Sequence, residues 1–131
     1  VGSEMCIRDR DGCIKSLTEN GVQKNKIKIV YVPGAFELPS KVQQLTKNNN
    51  LNCIIALGCI IKGETDHYHY ISEAVTNGIM SVTLKKTEDS PHVIFGVLTC
   101  QNKELAYARS SDNDKNKGYE AGQAAIHQMN N

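Results

Sequence analysis

The sequence has few aromatic residues, no tryptophan and no long apolar segment. Its 131 residues include two phenylalanines and five tyrosines, and no run approaches the ~20 apolar residues that a membrane-spanning helix needs. Its 15 basic and 14 acidic residues nearly cancel, so the strongly basic surface typical of nucleic-acid-binding proteins is missing. These absences argue against a membrane-spanning protein and against a nucleic-acid partner.

Disulfide signals are also missing. The five cysteines form no C-x-x-C pair, their number is odd, and the sequence has no N-x-S/T glycosylation site. This pattern favours a reducing compartment, and we therefore expect a cytoplasmic protein. The average composition and the length favour one folded domain.

The first ten residues differ from the rest. Residues 1–10 read VGSEMCIRDR, with no apolar period, an internal methionine and a cluster of charges. We expect this segment to be a non-native leader and residues 11–131 to be the domain.

From residue 11 onward, helical and strand patterns alternate. Apolar spacing predicts helices near residues 13–20, 38–45, 71–82, 105–108 and 121–125, and continuous apolar runs predict buried strands at 27–32, 53–57 and 92–99. Strands that are apolar throughout are typical of parallel sheets covered by helices on both faces. The sequence therefore predicts an α/β protein with three layers, in which ligands bind at the carboxyl ends of the strands.

The segment that follows the second strand carries the most chemistry. Gly63–His67 reads GETDH and lies where a strand gives way to a helix, a position that favours an anion. Ordinary helix capping by Thr65 or Asp66 is the simpler alternative. His67 has the side chain best suited to proton transfer near neutral pH, although an isolated histidine is more often a plain surface residue.

Two other possibilities involve ions. His67 and His69 invite a metal site, but residues two apart on a helix point in nearly opposite directions, so we expect no metal. Arg109 can bind a phosphate through its planar fork, and Lys117 precedes the last helix. The alternative for each is a solvated cation near a helix end.

Four motifs stand in order along the chain. They are VPGAFELP at residues 32–39, ALGCIIKGETDHY at 56–68, FGVLT at 95–99 and NKG at 116–118. Together they resemble the lumazine synthases of riboflavin biosynthesis, and the resemblance extends over residues 11–131. It implies a flavodoxin-like parallel sheet. It also implies condensation of 5-amino-6-(D-ribitylamino)uracil with 3,4-dihydroxy-2-butanone 4-phosphate, without a metal or an organic cofactor.

The resemblance also implies roles for individual residues. His67 corresponds to the proton-transfer histidine, and Arg109 with Glu64 and Thr65 corresponds to the phosphate site. The residues implied to hold the ribitylaminouracil are Ala35, Phe36, Glu37, Cys59, Ile60, Ile61, Phe95 and Lys117. Phe95 is implied to come from a neighbouring subunit.

The resemblance further implies that this chain forms a homo-oligomer, a pentamer with active sites between its subunits, and in some members of the family such pentamers assemble into icosahedral shells. The family also begins with a strand that carries a stacking aromatic residue, and we expect this first strand to be missing here, so that residues 11–131 form an N-terminally incomplete domain. Two other functions stay open at this point. One is a non-catalytic flavin- or lumazine-binding protein of the same fold. The other is a metal-dependent hydrolase that uses His67, His69 and Glu64.

Overall fold

A computed structural model describes residues 2–63, 67–110 and 116–130. In these ranges the chain forms five α-helices, two β-strands and two short 3-10 turns. The helices are α1 (Gly2–Glu19), α2 (Leu38–Leu45), α3 (His67–Lys85), α4 (Lys103–Ser110) and α5 (Lys117–Met129); the strands are β1 (Cys53–Ile61) and β2 (His92–Cys100); the turns are Lys24–Lys26 and Ala35–Glu37.

The two strands pair in parallel. Their register runs from Cys53 opposite His92 to Ile61 opposite Cys100. Because side chains alternate along a strand, each face of this sheet presents its own apolar set. Helices cover both faces, so the predicted three-layer α/β arrangement with a parallel sheet is confirmed.

The core is divided by the sheet. On one face, Ile54, Ala56 and Ile60 of β1 pack with apolar residues of α2 and α3. On the other face, residues at odd positions of β1 pack with α1 and α5 near the start of the strand and with α4 near its end. The site residues within the described ranges can therefore be assigned to one of two layers.

Several predicted helix boundaries are confirmed. Gly21 has φ of +92°, a conformation that glycine adopts at little cost, and α1 ends just before it. Pro39 lies in the first turn of α2, where its missing N–H costs no hydrogen bond. A Cβ atom at Gly78 would lie 2.9 Å from the ring of Pro39, so this glycine allows α3 to pack closely on α2.

The predicted buried strand at 27–32 is wrong. This segment has no strand assignment, and Ile29, Val30 and Tyr31 in its centre are exposed, Tyr31 to 73%. The ends of the segment pack on the core through Ile27 and Val32. A strand needs a neighbour for its N–H and C=O groups, and in the described residues β1 pairs with β2 alone. Apolar composition was therefore insufficient to make this run a strand.

Helix α1 is longer than the sequence pattern indicated, because it includes residues 2–10. It packs along α5, and the contact is closest at Gly118, where any side chain would collide with the backbone of Asp9. The prediction that residues 1–10 are a non-native leader stays a prediction.

Candidate active site

The carboxyl end of β1 forms the centre of the predicted site. Ile60 is buried in the layer of α2 and α3, whereas Cys59 and Ile61 face the layer that contains α4. Burial raises the pKa of the Cys59 thiol to about 12, so the thiol is neutral near pH 7. A neutral thiol is a poor nucleophile, which is consistent with a lining role for this residue.

A turn beside this strand end presents two exposed side chains. The 3-10 turn Ala35–Glu37 leads into α2 and contacts both β1 and α3. Ala35 packs against the core and anchors the turn, while Phe36 is 61% exposed and Glu37 is also exposed. An aromatic ring and a carboxylate are thus available to a ligand on this side of the sheet.

His67 is the first residue of α3 and is exposed. Because α3 also contacts the Ala35–Glu37 turn and the end of the core at Ile60, His67 belongs to the same layer as that turn. Glu64 and Thr65, the predicted phosphate contacts, lie outside the described residues. The anion site predicted at Gly63–His67 therefore stays a prediction.

Arg109 and Lys117 lie in the opposite layer. Arg109 is in the last turn of α4, which packs against Leu98 and Cys100, and Lys117 is the first residue of α5. An Arg109 Nη2 atom lies 3.7 Å from Oε2 of Glu120, also on α5. One chain therefore has its histidine and its arginine near the same edge of the sheet but on different faces.

Phe95 is distant from this edge. It lies opposite Ala56 in the strand register, four residues before the level at which Thr99 pairs with Ile60. At about 3.3 Å per strand residue, this separation along the sheet is roughly 13 Å. The ring is 37% exposed on the face that α2 and α3 cover only in part. Within one chain, Phe95 is thus too far along the sheet to close a pocket around residues 59–61.

Sequence reasoning missed Asp9. Its side chain is 0% exposed, and neither carboxylate oxygen has a hydrogen-bond partner in the described part of the chain. Burial raises its pKa to about 6, and this rise is opposed by the positive charges of Arg109 and Lys117 and by the Gly118 N–H, which lies nearby without hydrogen-bond geometry. Nothing in the local pattern signalled a buried acid, because its burial comes from long-range packing of α1 on α5.

Asp9 is expected to make the protein less stable as the pH rises through about 6. The folded-state pKa lies above the ordinary value of 3.8, so the stabilising contribution is fully present below about pH 3.8 and is lost above pH 6. The difference between the ordinary pKa of 3.8 and the folded-state pKa of about 6 corresponds to roughly 3 kcal/mol of unfolding free energy. In urea titrations, Asp9→Asn should therefore gain about 2–3 kcal/mol over the parent between pH 4 and pH 7.

Asp11→Asn is the matched control for this measurement, because Asp11 is an exposed carboxylate on the same helix. Its free energy of unfolding should follow that of the parent across the pH range. If the free energies of unfolding of the parent and of Asp9→Asn changed with pH in parallel, Asp9 would not be the source of the predicted loss of stability.

Two shallow depressions lie at the opposite edge of the sheet. The first, of about 310 Å³, lies between the ends of α1 and α5, and the second, of about 390 Å³, includes Asn52 and His92 at the amino-terminal ends of the strands. No predicted site residue lines either of them. The candidate site therefore lies outside these two depressions.

The described part of the chain offers neither a membrane-spanning helix nor a cluster of metal ligands. In residues 2–63, 67–110 and 116–130, no helix is both long enough and apolar enough to cross a membrane. In the same ranges, no three His, Cys, Asp or Glu side chains are grouped to hold a metal ion. All five cysteines are free thiols.

Comparisons with known proteins give a consistent result. The sequence model of a family described as 6,7-dimethyl-8-ribityllumazine synthase matches residues 3–131. Proteins named 6,7-dimethyl-8-ribityllumazine synthase from three strains of Coxiella burnetii (CbuG_Q212, RSA 493 / Nine Mile phase I and Dugway 5J108-111) are each 43% identical over 116 residues. Each alignment covers 88% of this chain and 75% of the relative.

Proposed function

The chain belongs to the 6,7-dimethyl-8-ribityllumazine synthase family, and we infer from this that it is a transferase of riboflavin biosynthesis. It condenses 5-amino-6-(D-ribitylamino)uracil with 3,4-dihydroxy-2-butanone 4-phosphate to give 6,7-dimethyl-8-ribityllumazine. The match over residues 3–131 is the observation that carries this conclusion. The non-catalytic flavin- or lumazine-binding alternative gains no support, because the matching family and relatives are named for an enzyme.

The reaction joins an amine and a ketone and expels phosphate. The substrate amine attacks the ketone, water is lost, and an imine forms. Inorganic phosphate then leaves, and ring closure with loss of a second water gives the lumazine. Holding both substrates in register supplies much of the rate enhancement through effective molarity.

We assign the substrate contacts as follows. His67 moves protons during imine formation and ring closure, while Glu37 accepts hydrogen bonds from ribityl hydroxyls. Arg109 binds the phosphate together with Glu64 and Thr65. The remaining contacts to the ribitylaminouracil are Ala35, Phe36, Cys59, Ile60, Ile61, Phe95 and Lys117. The exposed turn at Ala35–Glu37 and exposed His67, which share one layer, support this assignment.

The protein assembles as a homo-oligomer, and we propose that each active site forms between two copies. His67 and the Ala35–Glu37 turn lie on one face of the sheet, whereas Arg109 and Lys117 lie on the other. A second copy that brings its Arg109, Lys117 and Phe95 to the first copy's turn would complete the site. A ring of five chains satisfies this head-to-tail arrangement, and pentamers can associate further into an icosahedral shell. The five free thiols support a cytoplasmic location.

A direct assay tests the activity. The purified chain is mixed with both substrates, and lumazine formation is followed by its absorbance. Product should appear with both substrates and should be absent when 3,4-dihydroxy-2-butanone without phosphate replaces the phosphate ester. Tight flavin binding by a folded oligomer that forms no lumazine would instead favour the non-catalytic alternative.

A further inference from the structure

The ion pair between Arg109 and Glu120 joins the last turn of α4 to the first turn of α5. The Arg109 Nη2 and Glu120 Oε2 atoms are 3.7 Å apart, and the two side chains are 43% and 44% exposed. We propose that Glu120 tunes the affinity of the site for phosphate, because its carboxylate is the resting partner that a phosphate must displace from Arg109. The proposal rests on the assignment of Arg109 as a phosphate ligand.

The ion pair is weak enough for a phosphate to replace the Glu120 carboxylate at Arg109. Charge-assisted hydrogen bonds from arginine to a carboxylate are typically 2.7–2.9 Å long, so the contact at 3.7 Å is longer than a full hydrogen bond of this kind. Half-exposed pairs of this kind are also screened by water. A phosphate, in contrast, offers several oxygens to the arginine fork and carries up to two negative charges.

Hydrogen bonds in the first turn of α5 fix the main chain of Glu120. The side chain of Asn116 accepts a hydrogen bond from the Tyr119 N–H at 2.8 Å, and the Glu120 N–H donates to the Asn116 carbonyl at 3.2 Å. Asn116 is buried, and a Cβ atom on Gly12 would collide with its amide, so the first turn of α5 packs tightly on α1. The main chain of Glu120 therefore stays beside Arg109, and its carboxylate can return to Arg109 when phosphate leaves.

Without a ligand, the two positive charges of Arg109 and Lys117 lie near two acidic groups. Arg109 and Lys117 both act on the buried carboxyl of Asp9, and Glu120 adds a second acidic group. A phosphate that arrives at Arg109 must therefore overcome the repulsion of a nearby carboxylate. Since inorganic phosphate is also a product, this repulsion helps it to leave, and Glu120 weakens retention of the product as well as binding of the substrate.

Replacing Glu120 with glutamine is expected to strengthen phosphate binding. A charge about 6 Å from a phosphate costs a few-fold in affinity even in water, so we expect the KM for the butanone phosphate and the Ki of inorganic phosphate to fall about three- to tenfold. The KM for the ribitylaminouracil should be unchanged. Glu120→Asp keeps the charge and should restore the parental constants.

Glu88→Gln is the matched control, because it removes the same charge from an exposed residue at the opposite edge of the sheet. It should leave all four constants, including kcat, at parental values. Unchanged or weaker phosphate binding in Glu120→Gln would overturn the proposal, and so would an equal gain in Glu88→Gln.

Calorimetry with inorganic phosphate separates this proposal from the proposed function. If the parent forms no lumazine but Glu120→Gln binds phosphate more tightly, the tuning role stands and the activity fails. If lumazine forms and phosphate binding does not tighten, the activity stands and the tuning role fails. If the parent neither forms lumazine nor binds phosphate, both fail.

Discussion

Replacement of His67 by glutamine is expected to lower kcat about 10²–10⁴-fold, the usual contribution of a positioned proton-transfer group. Glutamine retains hydrogen-bonding capacity and a similar size but has no titratable group near neutral pH. The KM values should change much less than kcat, because the proton transfers occur during the chemical steps rather than during binding. Steady-state assays of lumazine formation, with both substrates varied in turn, measure each constant.

His69→Gln is the matched control for this substitution. His69 is exposed on the same first turn of α3, and its ring makes an edge-on contact with Tyr68 at 5.1 Å. It is absent from the assigned substrate contacts, so its replacement should leave kcat within about twofold of the parent, the range of a typical neutral surface change. Equal losses of kcat in His67→Gln and His69→Gln would contradict the assignment of His67 as the proton-transfer residue.

Replacement of Arg109 by alanine is expected to lower kcat/KM for the butanone phosphate about 10- to 100-fold, because a hydrogen bond to a charged group contributes about 1.5–3 kcal/mol. The loss should appear mainly in KM for that substrate. Arg109→Lys keeps the positive charge but loses the planar fork, so it should fall between the parent and the alanine variant. Titration of each variant with inorganic phosphate provides an independent readout of binding.

Lys85→Ala controls for the loss of one positive charge. Lys85 is exposed at the end of α3, far along the helix from His67. Its replacement should not change the KM for the butanone phosphate. If Arg109→Ala raised the KM for the ribitylaminouracil and spared that for the phosphate ester, the assignment of Arg109 would be wrong.

Local signals were sufficient to predict most of the layered fold. Gly21 and Pro39 mark helix ends through their own backbone chemistry, which does not depend on distant contacts. The apolar runs of β1 and β2 also indicated strands that are covered on both faces, and helices do cover them. Parallel pairing is also expected, because α3 connects β1 to β2 and a helical crossover returns the chain in the same direction.

Predictions that depend on a neighbouring segment were less successful. The run at 27–32 has the composition of a strand, but in the described residues it pairs with no strand that would complete its hydrogen bonds. The burial of Asp9 likewise depends on how α1 packs against α5, which the pattern of residues 1–10 does not encode. The composition of a segment indicates whether it can be buried, whereas the packing of distant segments determines which residues it contacts.

The features of the candidate site also differ in how well the sequence predicted them. The chemistry of His67 and Arg109 could be recognised from side-chain type, but their separation by the sheet could not, because it depends on the layer in which each helix packs. The position of Phe95 in the middle of β2 is a matter of strand register. The resemblance to a family supplied roles for these residues, and the structure supplied the faces on which they lie.

Mixed oligomers test most directly whether an active site takes His67 from one chain and Arg109 from another. His67→Gln and Arg109→Ala chains are unfolded together, reassembled in equal amounts and assayed for lumazine formation at a butanone phosphate concentration well below the parental KM, where both variants are impaired. With random assembly, about a quarter of the sites in a ring should pair a chain that retains His67 with a neighbour that retains Arg109. The mixture should therefore recover roughly 25% of the parental activity, far above either variant alone. Activity equal to the mean of the two separate variants would contradict a site shared between chains.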